Sequence, residues 1–270
     1  MLSGSRAGAT AAQLARDGGS LILAPSAGWI RRSAGTTPYS ENYARLRREV
    51  GEILAIPEST VLESGRVLLE SYVPGVLLSE FPEDERGEKT ASLIGSLGRF
   101  VPFGNGPTTE ERAVLDSISD DVIEFCSDVG ADGQRCCDEF AHFPLVTSLG
   151  DLRPENVIIY HGSPVVIDID PGLLRARPFW FDALFLLMRS SPQTVLDPQV
   201  ASILDSYWSR GTTKRAAPDP RTLAAMICIW SHPLLRISPH TSSSKAQVSV
   251  RKHALSMWQK HWADVFPRPE

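Results

Sequence analysis

Apolar residues recur along this chain in two rhythms, and the change from one to the other divides it. Before residue 80 the runs are short and separated by turns. Ser20–Leu23 and Trp29–Arg32 read as strands, as do VLESG and RVLLESYVPGVLL, joined at Glu63-Ser64-Gly65. One helix interrupts them. Ser40 is suited to accept the free N–H groups of a first turn, and Tyr43, Leu46, Val50, Ile53 and Leu54 share a helical stripe. Glu49 lies on or beside that stripe, where a buried carboxylate requires a partner. Tyr72–Gly75 reads as a connector. From residue 88 onward the spacing is mostly helical. Leu93, Ile94, Leu97 and Val101 share a face, and Thr108-x-x-Glu111 is a capping box before Leu115, Ile118, Val122 and Phe125. Residues 133–143 predict a short helix, and 237–248 a Ser- and Thr-rich loop. Asp197-Pro198 and Asp219-Pro220 open two further helices. A last helix carries Val250, Leu255, Trp258, Trp262 and Val265, its tryptophans read as core. Between 144 and 170 the strand rhythm returns. Val157–Tyr160, a turn at 161–164 and Val165–Ile169 predict a hairpin.

With 270 residues, 42% hydrophobic and 22% charged, the chain can bury a core as one large domain or as two lobes around a cleft. A net charge of −5 argues against a general nucleic-acid or anionic-membrane binder. Cys126, Cys136, Cys137 and Cys228 have neither zinc spacing nor a disulfide framework, which predicts reduced thiols. The start of the chain lacks a signal-peptide core, and SLILAPSAGWI is too short and broken to span a bilayer. The expectation is a cytoplasmic protein with no membrane and no nucleic-acid partner; its oligomeric state is left open.

Candidate chemistry gathers in LGDLRPENVIIYHGSPVVIDID, residues 149–170. Asp151 and Asn156 precede the hairpin and Asp168 follows it. Phosphoryl transfer needs such a set: a carboxylate to orient an attacking hydroxyl and take its proton, and an amide oxygen with a second carboxylate to hold the magnesium that bridges the phosphates. No H-E-x-x-H and no Gly-x-Ser-x-Gly occurs, which disfavours metal hydrolysis and a hydrolase elbow.

Asp151-x-x-x-x-Asn156 followed by Val-Val-Ile-Asp168-Ile-Asp170 resembles the catalytic loop and metal-binding segment of aminoglycoside phosphotransferases, which share a protein-kinase-like fold with choline kinases. The resemblance is specific over 144–184 and weaker over 40–80. It implies an α+β, two-lobed fold, with a small β-rich N-terminal lobe (1–73) and a larger, mainly helical C-terminal lobe (74–270). ATP or GTP would lie between them with Mg2+. It implies Asp151 as catalytic base, Arg153 as a phosphate contact, Asn156 and Asp168 as metal ligands with Asp170 beside them, and Asp182 as a brace of the catalytic loop. Leu149 stands where the family usually has His. No lysine precedes Lys89, so Arg31 or Arg32 would pair with Glu49 and hold the phosphates. The backbone of Glu70, Tyr72 and Val73 would receive the adenine, and Ser3–Gly8 is a weak candidate for a phosphate loop. Only eleven residues separate Asp170 from Asp182 and no A-P-E follows. That points to a small-molecule hydroxyl, on an antibiotic or other secondary metabolite, a sugar or an amino alcohol, rather than a peptide. The alternative is a pseudokinase-like protein that binds nucleotide or metabolite without turnover.

Overall fold

The described residues between 12 and 71 form one antiparallel sheet and one α-helix. The computed structural model describes residues 12–16, 19–24, 27–33, 38–101, 109–169, 175–211, 216–232 and 249–267. Its strands are β1 (Ala12–Arg16), β2 (Gly19–Ala24), β3 (Trp29–Ser33), β4 (Ser59–Leu62) and β5 (Val67–Ser71), in the spatial order β1-β2-β3-β5-β4. β1 has no counterpart in the sequence reading, because AQLAR lacks the β-branched and aromatic residues that mark strands. Between β3 and β4 runs α1 (Glu41–Gly51), capped by Ser40, whose hydroxyl accepts from the Tyr43 N–H at 3.1 Å. The β4–β5 turn takes Glu63, Ser64 and Gly65 through positive φ. The Gly65 carbonyl accepts from the Tyr39 N–H at 2.7 Å, which ties that turn to the entry of α1.

After the connector, β6 (Val76–Leu77) pairs with β8 (Val157–Tyr160), which pairs with β9 (Ser163–Val166). β7 (Leu145–Ser148) pairs with β10 (Arg175–Pro178). At Gly75 the connector crosses β8 so closely that a Cβ would stand 2.4 Å from the Ile159 carbonyl oxygen. The remainder is helical: α2 (Glu83–Leu97), α3 (Thr109–Val129), α4 (Gly133–Ala141), α5 (Phe181–Met188), α6 (Pro192–Leu196), α7 (Pro198–Gly211), α8 (Pro220–Trp230) and α9 (Val250–His261). α2 starts earlier than expected, with Glu83, Asp84 and Glu85 favourably placed in its first turn. It stops at Leu97, so Val101, expected on its buried face, is 77% exposed. Thr108 of the capping box, the loop 237–248 and Ser3–Gly8 lie outside the described residues.

Trp180, Trp208 and Trp258 are fully buried. The rings of Trp180 and Trp230 meet edge to face at 4.8 Å, and the Trp208 indole donates to Glu139 Oε2 at 3.1 Å. The tryptophan stripes are therefore core. All four cysteines are free; the sulfurs of Cys126 and Cys136 approach to 3.6 Å between α3 and α4. Among the described residues no helix is long and apolar enough to cross a membrane.

Candidate active site

The residues between β7 and β8 are held from below by a buried carboxylate. Asp182 stands in the first turn of α5 and accepts from the Leu149 N–H at 2.9 Å, the Gly150 N–H at 3.1 Å and the Ser148 hydroxyl at 3.0 Å. Burial pushes its pKa up, and the two backbone N–H groups pull against that shift. Gly150 takes φ +77, the left-handed region, so the chain turns sharply just before Asp151. Leu149 packs in the core at 4% exposure.

Asp151 and Asn156 meet directly. Asn156 Nδ2 donates to the Asp151 carbonyl at 2.9 Å and to Asp151 Oδ2 at 3.1 Å. Arg153 Nη2 approaches the same Oδ2 at 3.2 Å. Asp151 Oδ1 takes no hydrogen bond from the described residues. The short helical turn Pro154–Asn156 forms because the Asn156 N–H returns to the Arg153 carbonyl at 2.8 Å. Across the hairpin the Ile167 N–H donates to the Asn156 carbonyl at 2.8 Å, so Asp168 begins one residue beyond Asn156's partner. Asp168 has φ +58, a conformation costly for most side chains and tolerated by Asp. Asp170 lies outside the described residues.

Arg32 crosses from the sheet to this hairpin. Its Nη1 lies 2.5 Å from Asp168 Oδ1, and its Nε donates to Glu70 Oε2. Burial would lower the Arg32 pKa, but the charges of Glu70 and Asp168 outweigh it and the shift is upward. Arg31, on the opposite strand face, turns away to Ser33 Oγ at 3.0 Å and Glu63 at 3.5 Å.

Neither arginine pairs with Glu49, contrary to expectation. Glu49 is bound to Arg45 at 2.5 Å on the exposed side of α1. The inward charge of that helix is Arg47, 3% exposed, whose Nη2 lies 2.6 Å from Glu70 Oε1. Glu70 is likewise not part of the connector. It sits within β5, between Ile30 and Ser59 on the flanking strands, with its carboxylate buried. The Tyr72 N–H is already given to the Gly28 carbonyl at 2.9 Å, which leaves Val73 as the first connector residue without a hydrogen bond among the described residues. Arg47 was detectable in the sequence: Tyr43, Arg47, Val50 and Leu54 keep helical spacing, so the charge falls inside the apolar stripe.

Among the described residues no group of three or more His, Cys, Asp and Glu is poised for a metal ion. An amide oxygen of Asn156 with a carboxylate of Asp168 is nevertheless a set that suits Mg2+, which keeps waters and takes phosphate oxygens alongside one or two protein ligands.

No family model matches the sequence, and no curated protein matches it. Solved structures are similar to it. An aminoglycoside phosphotransferase from Alicyclobacillus acidocaldarius is similar over 94% of this chain and 90% of its own, with 12% identity and a TM-score of 0.49. For the ADP-bound aminoglycoside phosphotransferase APH(2'')-Ib the figures are 93% and 92%, 11% identity and 0.49. For an amicoumacin kinase in complex with AMP-PNP, Ca2+ and Ami they are 93% and 88%, 13% identity and 0.46.

Proposed function

We propose that this chain transfers the γ-phosphoryl group of ATP or GTP to a hydroxyl of a small molecule, in the cleft between residues 1–73 and 74–270. The observation that carries this reading is the state of Asp151. One oxygen is pinned by Asn156 Nδ2 and Arg153 Nη2, while the other takes no donor among the described residues. A carboxylate fixed in this way is positioned to receive a proton at Oδ1. The acceptor hydroxyl would give its proton to Asp151 as its oxygen bonds to the γ-phosphorus. The bond from that phosphorus to the bridging oxygen breaks, and the nucleoside diphosphate leaves. Magnesium, when bound, would neutralise charge on the phosphates, and Asn156 and Asp168, with Asp170 beside them, are the residues that would hold it. Arg32 would hold phosphate oxygens with the edge that now meets Asp168, and the connector at Val73 would meet the base. The eleven-residue spacing before Asp182 and the helical C-terminal part favour a small acceptor: an antibiotic or other secondary metabolite, a sugar or an amino alcohol.

The test is transfer of labelled phosphate from ATP and GTP to a panel of hydroxylated amines and sugars. Asp151→Asn is expected to cut turnover by about 10²- to 10⁴-fold while nucleotide affinity stays within about twofold. Turnover within tenfold of wild type would remove the base assignment. A second reading is a binding protein without turnover, favoured by the Arg32–Asp168 ion pair, which engages a metal-ligand candidate with a cation. Nucleotide binding with no transfer to any acceptor supports it.

A further inference from the structure

Arg47 has no part in the phosphotransfer scheme, yet its buried guanidinium is hydrogen-bonded through all three nitrogens. Its Nε donates to Ser59 Oγ at 2.7 Å, Nη1 to the Tyr43 hydroxyl at 3.2 Å, and Nη2 to the Pro57 carbonyl at 3.2 Å and Glu70 Oε1 at 2.6 Å. Glu70 is 2% exposed, and its other oxygen accepts from Arg32 Nε. Arg32 then reaches Asp168 with Nη1. Two cations and two carboxylates thus alternate from α1 through β5 and β3 to the hairpin.

The order of this chain sets the aim of Arg32. A buried carboxylate beside a single guanidinium takes two parallel N–H bonds from its fork, the favoured arrangement of the pair. That arrangement is disfavoured here, because Arg47 already holds Oε1 and a second guanidinium on the same oxygen would crowd two like charges. Arg32 therefore holds Glu70 by Nε and presents its Nη1 edge to Asp168. We propose that Arg47 is a positioning residue: by loading one oxygen of Glu70, it keeps the Arg32 guanidinium extended into the cleft, where it grips nucleotide phosphates. The proposal rests on the phosphotransfer reading above. Without Arg47, Glu70 draws Arg32 into a two-bond pair and withdraws it from the phosphate site. The polarity is opposite to the pair expected from the sequence: α1 supplies the cation and a strand supplies the carboxylate.

Calorimetric titration with AMP-PNP and Mg2+, alongside thermal melting, tests this on the full chain. R47M is expected to weaken AMP-PNP binding about tenfold or more, while R47K, whose ammonium still reaches Oε1, stays within about threefold. R47M/E70Q leaves no carboxylate unpaired in the interior, so it regains the melting temperature that R47M loses. It does not regain affinity, because Arg32 has lost its charged anchor. If R47M does not fold, R47Q takes its place, with the same weakening of about tenfold or more expected. R47M binding like wild type, or R47M/E70Q regaining affinity together with stability, overturns the proposal. Wild type that shows no binding at millimolar AMP-PNP instead removes the phosphotransfer reading and this proposal with it, an outcome recognisable without any variant.

Discussion

Tyr43 shows how much one buried hydroxyl can report. It donates to the Ile169 carbonyl at 3.0 Å and accepts from Arg47, and burial, opposed by the Arg47 charge, pushes its pKa from 10.0 up to about 12. A phenol with a raised folded pKa favours the native state while neutral. Its contribution is complete below pH 10 and is lost as pH rises from 10 toward 12. Across that window wild type is expected to lose about 2–3 kcal/mol more stability than Y43F, read from denaturant melts at each pH. Equal alkaline slopes for the two proteins would refute this. At the same scale, the site was only partly legible in the sequence. Asp151 and Asn156 lie five positions apart on one local turn, so their meeting follows from chain geometry alone. Arg32, Arg47 and Glu70 come from three separate elements, and no local spacing encodes their meeting. The rule about charges on an apolar stripe, applied to the sequence, singles out Glu49, which the structure places on the exposed side of α1, and passes over Arg47. The residue that obeys it is the one four positions after Tyr43, not the one three after Leu46.

Elements were most legible where caps and turn residues punctuate them. Ser40, Asp197 and Asp219 mark helix starts that the structure reproduces, while β1, built from AQLAR, offered no such mark. Turn glycines separate two costs that sequence alone cannot distinguish. Gly28 and Gly65 both have positive φ, but a Cβ on Gly28 meets nothing within 4 Å, whereas one on Gly65 would stand 2.6 Å from the Tyr39 carbonyl oxygen. G28A is expected to cost about 1 kcal/mol from backbone strain alone. G65A is expected to cost about 2–4 kcal/mol, because the β4–β5 turn must also part from the entry of α1. Chemical denaturation of the two variants measures the gap. A cost for G65A no greater than for G28A would mean that the packing of this turn on Tyr39 contributes nothing.

In the molecule as a whole, a few bonds cross from β3, from α1 and from the segment after α1 to the hairpin of the site. Arg32 reaches Asp168, the Tyr43 hydroxyl reaches Ile169, and the Val166 N–H donates to the Ala55 carbonyl at 2.8 Å. Arg32 and Asp168 are ion-paired, so an anion alone or a cation alone must compete with that pair for one of its members. On the proposed function, magnesium with AMP-PNP would supply a counter-charge to each. At a hundredfold over Kd the two together are expected to stabilise the protein by about 2.7 kcal/mol, or about 5–10 °C in melting temperature. AMP-PNP in EDTA is expected to give little of this. An equal rise with and without the metal would count against Asn156 and Asp168 as its donors. The joint at Gly75 has one further effect. Beyond it β6 is sewn to β8, and before it β5 is locked between two strands, so residues 72–74 are a link three residues long between them. Three residues fully extended reach only about 10 Å, so the end of β5 cannot move far from β8 while β6 stays paired to it.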